Sequence, residues 1–269
     1  MTLSVCIITL NEEANIVRTL RSVKDIADEI IVVDSGSTDQ TVALAQAQGA
    51  KVFTEPWKGF AAQKNSSLAK ATCDWVLSLD ADEEVSPDLA ASIKALLSSG
   101  AAPQATPARE ARAGGPAQFS GYKMNRRNLY MNRWIKRSGY YPDPKLRLVK
   151  RGAAEFELRA VHEDMKMAGP LGHLDGDLIH HAYPTLESFI EHANRYSTLG
   201  AQMVVEKHPV GFSFINIVLR PMVRFLYSYI FRLGFLDGRE GLLVLMTHAA
   251  YVSWKYAKAW EMSRERLGN

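Results

Sequence analysis

The sequence predicts an α/β protein with a mostly parallel sheet carrying helices on both faces. Four short apolar runs alternate with segments of helical period, and each run stops at a polar cluster. Units of this length call for right-handed crossovers, which make neighbouring strands parallel.

Leu3 to Leu10 reads as a buried strand that breaks at Asn11-Glu12-Glu13, and Ile16, Leu20 and Val23 recur at helical spacing just beyond. The acidic residues there suit the positive end of that helix. Ile30 to Val33 is a second strand, ending at Asp34-Ser35-Gly36-Ser37-Thr38-Asp39. Ser37 and Gln40 have the spacing of a capping box for a helix through Val42 and Ala45. Lys51-Val52-Phe53 forms a short third strand, Phe60 to Ala71 a helix, and Trp75 to Leu79 a fourth strand, after which Ser86-Pro87 starts another helix. Residues 100–118 hold Ala, Pro, Gly and scattered charge, a composition expected to form a mobile insertion. Gly121 to Asn125 resumes as a strand.

Ligands of such sheets bind outside the carboxyl ends of the strands. Thr9 to Asn11, Asp34-Ser35 and Asp80-Ala81-Asp82 all fall just there. Asp34 or Asn11 alone could equally cap a helix, but three coincident sites favour a ligand edge. Two carboxylates after a buried strand suit a hard divalent cation held against a diphosphate. A chance acidic turn, extended by Glu83-Glu84 and Asp88, is the competing account.

With 269 residues, 47% hydrophobic and 23% charged, the chain is large enough for one substantial domain and a smaller appendage. Two cysteines imply no disulfide framework; Cys6 falls in a buried strand and Cys73 just before one, as in a reduced cytosolic protein. The apolar start lacks a basic flank, so no signal peptide is expected. Between Lys123 and Arg151 stand ten Lys or Arg and one acid, Asp143, a local net charge of +9 against +3 for the whole chain. That excess predicts a basic face. Tyr130, Trp134, Tyr140 and Tyr141 are interleaved, yet no nucleic-acid fold signature accompanies them, so an anionic saccharide or membrane surface is the expected partner and nucleic acid is not. Val210 to Phe235 is rich in Phe, Ile, Leu and Tyr, with Arg220, Arg224 and Arg232 and no acid. Charge in mid-segment favours an interfacial amphipathic helix over a spanning one. Packing on the catalytic domain, or a dimer contact, is the alternative.

These motifs resemble those of the inverting nucleotide-sugar glycosyltransferases of GT-A fold, family 2. Val5-Cys-Ile-Ile-Thr-Leu-Asn-Glu-Glu13 is similar to the first-strand signature, Ile31-Val-Val-Asp-Ser-Gly-Ser-Thr-Asp39 to the uridine-binding segment, and Leu79-Asp-Ala-Asp-Glu83 to the metal motif. Through Ala160-Val-His-Glu163, Gly176-Asp-Leu-Ile-His-His181 and the tail after Asn194-Arg-Tyr-Ser197, the chain resembles lipopolysaccharide inner-core β-1,4-glucosyltransferases with a heptose acceptor. The resemblance implies a GT-A (Rossmann-like) catalytic domain over residues 1–183 and a helical, membrane-associating region over 184–269.

The same resemblance implies that Asp34 accepts a hydrogen bond from uracil, with Thr9, Asn11, Glu12 and Ser35 lining the nucleoside pocket. Lys64 would lie near the pyrophosphate or base, unless it is merely solvated. Asp80 falls near the ribose or donor sugar, and Asp82 binds Mg²⁺ or Mn²⁺. Glu163 is the expected base, with Asp164 as runner-up, since a carboxylate is ionised at neutral pH and can take the acceptor hydroxyl's proton. His180-His181 offers a further metal ligand, an acceptor contact or a core histidine. The expected activity is hexose transfer, glucose from a UDP-sugar, to a lipid-linked or phosphorylated saccharide at the cytoplasmic face of the membrane. Transfer to a polyprenyl phosphate or another cell-surface glycan is the enzymatic alternative. A catalytically silent nucleotide-sugar or membrane-binding subunit is the non-enzymatic one, and a metal-dependent phosphohydrolase a further possibility.

Overall fold

A computed structural model describes residues 1–99, 119–157 and 164–267 of the chain. The insertion expected at 100–118 lies outside the described residues. The chain divides into two compact units, Met1–Arg126 with Asp143–His180, and Arg127–Pro142 with His181–Asn269.

The first unit opens with the expected alternation: β1 (Leu3–Thr9), α1 (Ile16–Val23), β2 (Glu29–Asp34), α2 (Thr41–Ala47), β3 (Lys51–Thr54), α3 (Phe60–Ala69) and β4 (Trp75–Asp80). Then come β5 (Glu83–Val85), α4 (Pro87–Ser99), β6 (Gly121–Tyr130), β7 (Arg133–Trp134), β8 (Pro144–Lys150), β9 (Ala154–Phe156), β10 (Met165–Met167) and β11 (Leu171–Tyr183). The sheet runs β3-β2-β1-β4-β8-β6-β11-β5, with β7 on β6. Its first four strands are parallel to one another. The rest is antiparallel where β8 meets β4 and β6 and where β5 meets β11. The chain between β6 and β8 carries no crossover helix, so that pair returns antiparallel.

All seven residues of β1 are buried, because helices cover both faces of the parallel half. Leu3, Val5, Ile7, Leu77 and Leu79 pack with Ile16, Leu20, Leu89 and Ile93 on one side. Cys6, Ile8, Ile31, Val33 and Val76 pack with Ala61 and Ala71 on the other. The period-2 alternation of each strand divides the two cores.

The capping box expected at Ser37 and Gln40 does not form. Helix α2 begins at Thr41, whose N–H donates to Asp39 Oδ1 at 3.0 Å. Ser37 Oγ instead donates to Asp34 Oδ1 at 2.5 Å. Gly176, at φ +95°, lies so close to α4 that a Cβ there would meet Leu89 N at 2.3 Å. Only glycine lets β11 pass the start of that helix without strain.

Buried Glu29 ties three segments together. It accepts from Ser4 Oγ at 2.7 Å, Lys51 Nζ at 2.8 Å and Thr72 N at 3.1 Å. Burial pushes its carboxyl up, but the hydrogen bonds from Lys51, Ser4 and Thr72 outweigh it and hold the group down at about 2. A carboxyl depressed on folding stabilises above its unfolded value of about 4.3, and that contribution fades as pH falls toward the folded value. Acid titration followed by circular dichroism should therefore show wild type losing stability between about pH 4.5 and 2. Glu29→Gln should be less stable at neutral pH and flatter over that window.

Besides β7 and the ends of β6 and β11, the second unit is helical: α5 (Leu186–Lys207), a π-helical turn Ile215–Leu219, α6 (Arg220–Leu226), a second π turn Tyr227–Phe231, a 3-10 turn Gly234–Asp237, and α7 (Gly238–Leu267). Thr185 caps α5, its side chain accepting from Ser188 N at 3.1 Å. Lys258 on α7 reaches Asn194 Oδ1 at 2.6 Å, Ser197 Oγ at 2.8 Å and Thr198 Oγ1 at 2.9 Å on α5. Residues 127–142 belong to this unit because buried Asp237 accepts the N–H groups of Lys136 at 3.2 Å and Arg137 at 2.8 Å.

Candidate active site

The parallel register sets Asp34 beside Thr9, and Asp80 beside Ile8, so β1 carries polar neighbours on both flanks at its carboxyl end. This is the ligand edge of such sheets. Asn11 turns the chain in the left-handed region at φ +54°, its carboxamide oxygen accepting from Thr38 N at 2.9 Å. Asp34, almost fully buried, accepts from Gly36 N at 2.9 Å and Ser37 N at 3.0 Å, holding the Gly36 turn at φ +96°. Ser35 N donates to the Thr9 carbonyl at 2.9 Å. The hydroxyls of Thr9 and Ser35 are both buried without a protein partner. Gln63 on α3 is wholly buried with neither amide atom paired.

Asp80 sits between two cations, with Lys64 Nζ 2.7 Å from Oδ1 and Arg147 Nη2 2.7 Å from Oδ2. Burial raises its carboxyl, but Arg147 and Lys64 overcome that and hold it well below the usual carboxylate range. Arg147 also meets the fully buried Glu83 at 2.6 Å, and Glu83 Oε2 accepts from Asp80 N at 3.0 Å. Desolvation works against the Arg147 charge, yet Asp80 and Glu83 hold its pKa above the ordinary guanidinium value. Arg126 Nη1 approaches Glu83 at 3.5 Å and Arg126 Nη2 pairs with Asp143 at 2.9 Å. Lys64 is thus buried and ion-paired, which removes the solvated alternative.

Asp82 has a different neighbour. Antiparallel pairing sets His180 of β11 opposite Glu83 of β5, which brings His180 Nε2 to 3.2 Å from Asp82 Oδ2. The carboxyl of Glu12, which accepts from Asn15 Nδ2 at 2.7 Å, is pushed up first by burial and then by the charges of Asp82 and Asp39. Glu12 and Asp82 therefore share one negatively charged corner. Among the described residues no three His, Cys, Asp or Glu side chains converge to cage a metal unaided. A cation there would draw its remaining ligands from substrate oxygen, as Mg²⁺ commonly does with phosphates.

Of the residues singled out from the sequence, Thr9, Asn11, Glu12, Asp34, Ser35, Lys64, Asp80 and Asp82 all lie at or beside this edge in the first unit. Glu163 lies outside the described residues. Asp164 is exposed, its carbonyl accepting from Glu157 N at 3.3 Å. Arg147 was passed over by motif reading, and Glu83 was read only as the end of the metal motif or part of an acidic turn. The clue for Arg147 was its place in the run Leu146-Arg147-Leu148-Val149, because a charged residue in an apolar strand is rarely buried unless paired. The basic excess of 123–151 is not one face. Arg126, Lys145 and Arg147 turn to carboxylates in the first unit, while Arg127 and Lys136 stand over the Trp134 ring at 4.5 and 4.3 Å in the second.

The family model described as glycosyl transferase family 2 matches residues 4–156. The lipopolysaccharide core biosynthesis glycosyltransferase LpsC of Rhizobium meliloti (strain 1021) is 33% identical, over 96% of this chain and 92% of LpsC. A glycosyltransferase of Rickettsia typhi, RT0209, is 30% identical over 97% of this chain and 87% of its own. Among solved structures, glucosyl-3-phosphoglycerate synthase from Mycobacterium tuberculosis, with Mn²⁺, UDP and glucosyl-3-phosphoglycerate, is 29% identical; the match covers 47% of this chain and 44% of that one at a TM-score of 0.36. That likeness is local and says nothing of this chain's ligands. The family match, the near full-length relatives and the α/β architecture agree: this chain belongs to glycosyl transferase family 2.

Proposed function

We propose that the protein is an inverting, metal-dependent hexosyltransferase that moves glucose from UDP-glucose to a lipid-linked saccharide of the lipopolysaccharide inner core, at the cytoplasmic face of the membrane. The near full-length similarity to LpsC, named for lipopolysaccharide core biosynthesis, supports the acceptor class. The observation that carries the chemistry is the unequal treatment of the two aspartates. Asp80 is ion-paired with both Lys64 and Arg147, whereas among the described residues Asp82 meets no Lys or Arg and has the His180 imidazole at 3.2 Å, which leaves it open to a cation.

Thr9, Asn11, Glu12, Asp34 and Ser35 form the nucleoside end. The buried, unpaired hydroxyls of Thr9 and Ser35 fit a ligand that completes their hydrogen bonds. Asp80, kept ionised, accepts from ribose or sugar hydroxyls, and Lys64 adds positive charge beside the diphosphate. Asp82 and His180 would hold Mg²⁺ or Mn²⁺, which when bound neutralises the charge developing on the nucleoside diphosphate. Glu163, with Asp164 as the alternative, takes the proton of the acceptor hydroxyl. That oxygen bonds to the anomeric carbon as the bond to phosphate breaks on the opposite side, and configuration inverts.

Thermal unfolding with UDP-sugars, GDP-mannose and a CMP-sugar, each with Mn²⁺, Mg²⁺ or chelator, tests the donor site. At a hundredfold excess over Kd a ligand adds about 2.7 kcal/mol, enough to raise Tm by several degrees. A UDP-sugar response that needs metal and is lost in Asp82→Ala is expected. Silence toward every nucleotide would overturn the reading and favour a catalytically silent subunit.

A further inference from the structure

Residues 214–231 of the second unit form one continuous helical rod in which α6 is flanked by the two π turns. A side chain repeating every four residues on an α-helix drifts about 40° around the axis per repeat. A π turn closes its hydrogen bond one residue later and winds less per residue, so it drifts the other way. Two π turns around one α segment therefore keep a four-residue repeat nearly straight, and the side chains fall into four rows.

Phe214, Val218, Met222, Leu226 and Ile230 make the first row, and every one is exposed. Ile215, Leu219, Val223, Tyr227 and Phe231 make the adjacent row, equally exposed, with Phe231 at 75% and Ile215 at 64%. The third row is polar and basic: Arg220, which donates to Tyr256 Oη at 2.7 Å, and Arg224 are exposed, and exposed Arg232 follows in the turn that ends the rod. The fourth contains buried Pro221 and half-buried Ile217, Phe225 and Tyr229, and the rod packs on α7. No acidic residue occurs between Glu206 and Asp237.

We propose that this straight two-row apolar face, edged by the arginine row, is the surface by which the protein lies in the plane of an anionic bilayer. The inference deepens the membrane-bound acceptor reading and rests on it for its purpose. An apolar patch of this extent marks a membrane or protein partner. The arginine edge without compensating acid decides for anionic lipid, since basic groups near such a surface are attracted to it. No helix among the described residues is long and apolar enough to cross a membrane. The rod, about 27 Å long at 1.5 Å per residue, would instead sink its apolar rows some 5–10 Å into the headgroup boundary. A cavity of about 270 Å³ at the start of the basic row, lined by Lys207, His208, Ser213, Asn216 and Tyr256, offers polar groups to a lipid headgroup.

Co-sedimentation of the full chain with phosphatidylglycerol-containing vesicles, against pure phosphatidylcholine, tests this. Wild type should sediment with the anionic vesicles, and Val223→Glu with Phe231→Glu should lower the bound fraction about tenfold or more. Arg220→Gln with Arg224→Gln should erase the preference for anionic lipid. In Phe231→Trp, indole emission should shift to the blue on those vesicles and be quenched by brominated acyl chains. Unchanged sedimentation of the double glutamate variant overturns the proposal. So does a wild-type dimer by light scattering that this variant dissolves while neither form binds vesicles; that result would make the face a protein interface. The double glutamate variant should keep its metal-dependent UDP-sugar response, whereas loss of that response in wild type would sink the transferase reading and leave the vesicle result standing.

Discussion

Asp82→Asn should cut the rate of sugar transfer by about two to three orders of magnitude while leaving the folded protein close to wild-type stability. Asn preserves the shape but removes the negative charge that a hard cation requires. Asp82 is partly exposed and, among the described residues, its ion-pair partner is the His180 imidazole at 3.2 Å, so folding asks little of it. The paired measurement is turnover of UDP-glucose against melting temperature. Turnover within a few-fold of wild type at saturating Mn²⁺ would remove Asp82 from the chemistry. If the cation is held as proposed, added Mn²⁺ should partly restore rate in Asp82→Asn but not in an Asp82→Asn/His180→Ala double variant.

Arg147→Met should be the most destabilising single change at the site, by about 3–5 kcal/mol, because it removes the cation shared by two carboxylates and leaves Glu83, among the described residues, with Arg126 alone as its cation, at 3.5 Å. Glu83 has a fully buried side chain and Arg147 is only 7% exposed, so water cannot replace the lost partner. Asp80 retains Lys64 at 2.7 Å, which leaves Glu83 with the larger penalty. Denaturant unfolding should therefore show Arg147→Met/Glu83→Gln recovering much of the loss, since the amide tolerates burial without a counter-charge. If Arg147→Met alone costs less than about 1 kcal/mol, the buried network is not what holds β8 against β4 at this edge.

The alternating strands and helices were legible because parallel strands buried on both faces read as unbroken apolar runs, and Leu3 to Thr9 and Trp75 to Leu79 are such runs. The polar residues that follow them were legible as the carboxyl ends of those strands for the same reason. The local wiring was not. Ser37 has capping-box spacing, yet α2 begins only at Thr41, so its hydroxyl is left to donate to Asp34 Oδ1 and to accept from Asn11 N. The antiparallel half was hidden because β6 and β8 are joined without the helical crossover that announces a parallel pair. In the tail, an interfacial helix could be read from apolar content and three arginines, but not the two π turns that straighten its rows.

By itself, then, the sequence determined the α/β class, the order of the parallel strands' polar ends and the candidates Thr9, Asn11, Asp34, Asp80 and Asp82, because those follow from periodicity and from what may be buried. Tertiary structure alone decided which of those groups is paired with Lys and Arg. Lys64, Arg147 and His180 are distant along the chain, and only the packing of α3 and the sheet's pairing bring two cations to Asp80 and an imidazole to Asp82. A carboxylate's chemistry is set by burial and by the charges within a few ångströms of it, neither of which is written in the residue's own letter.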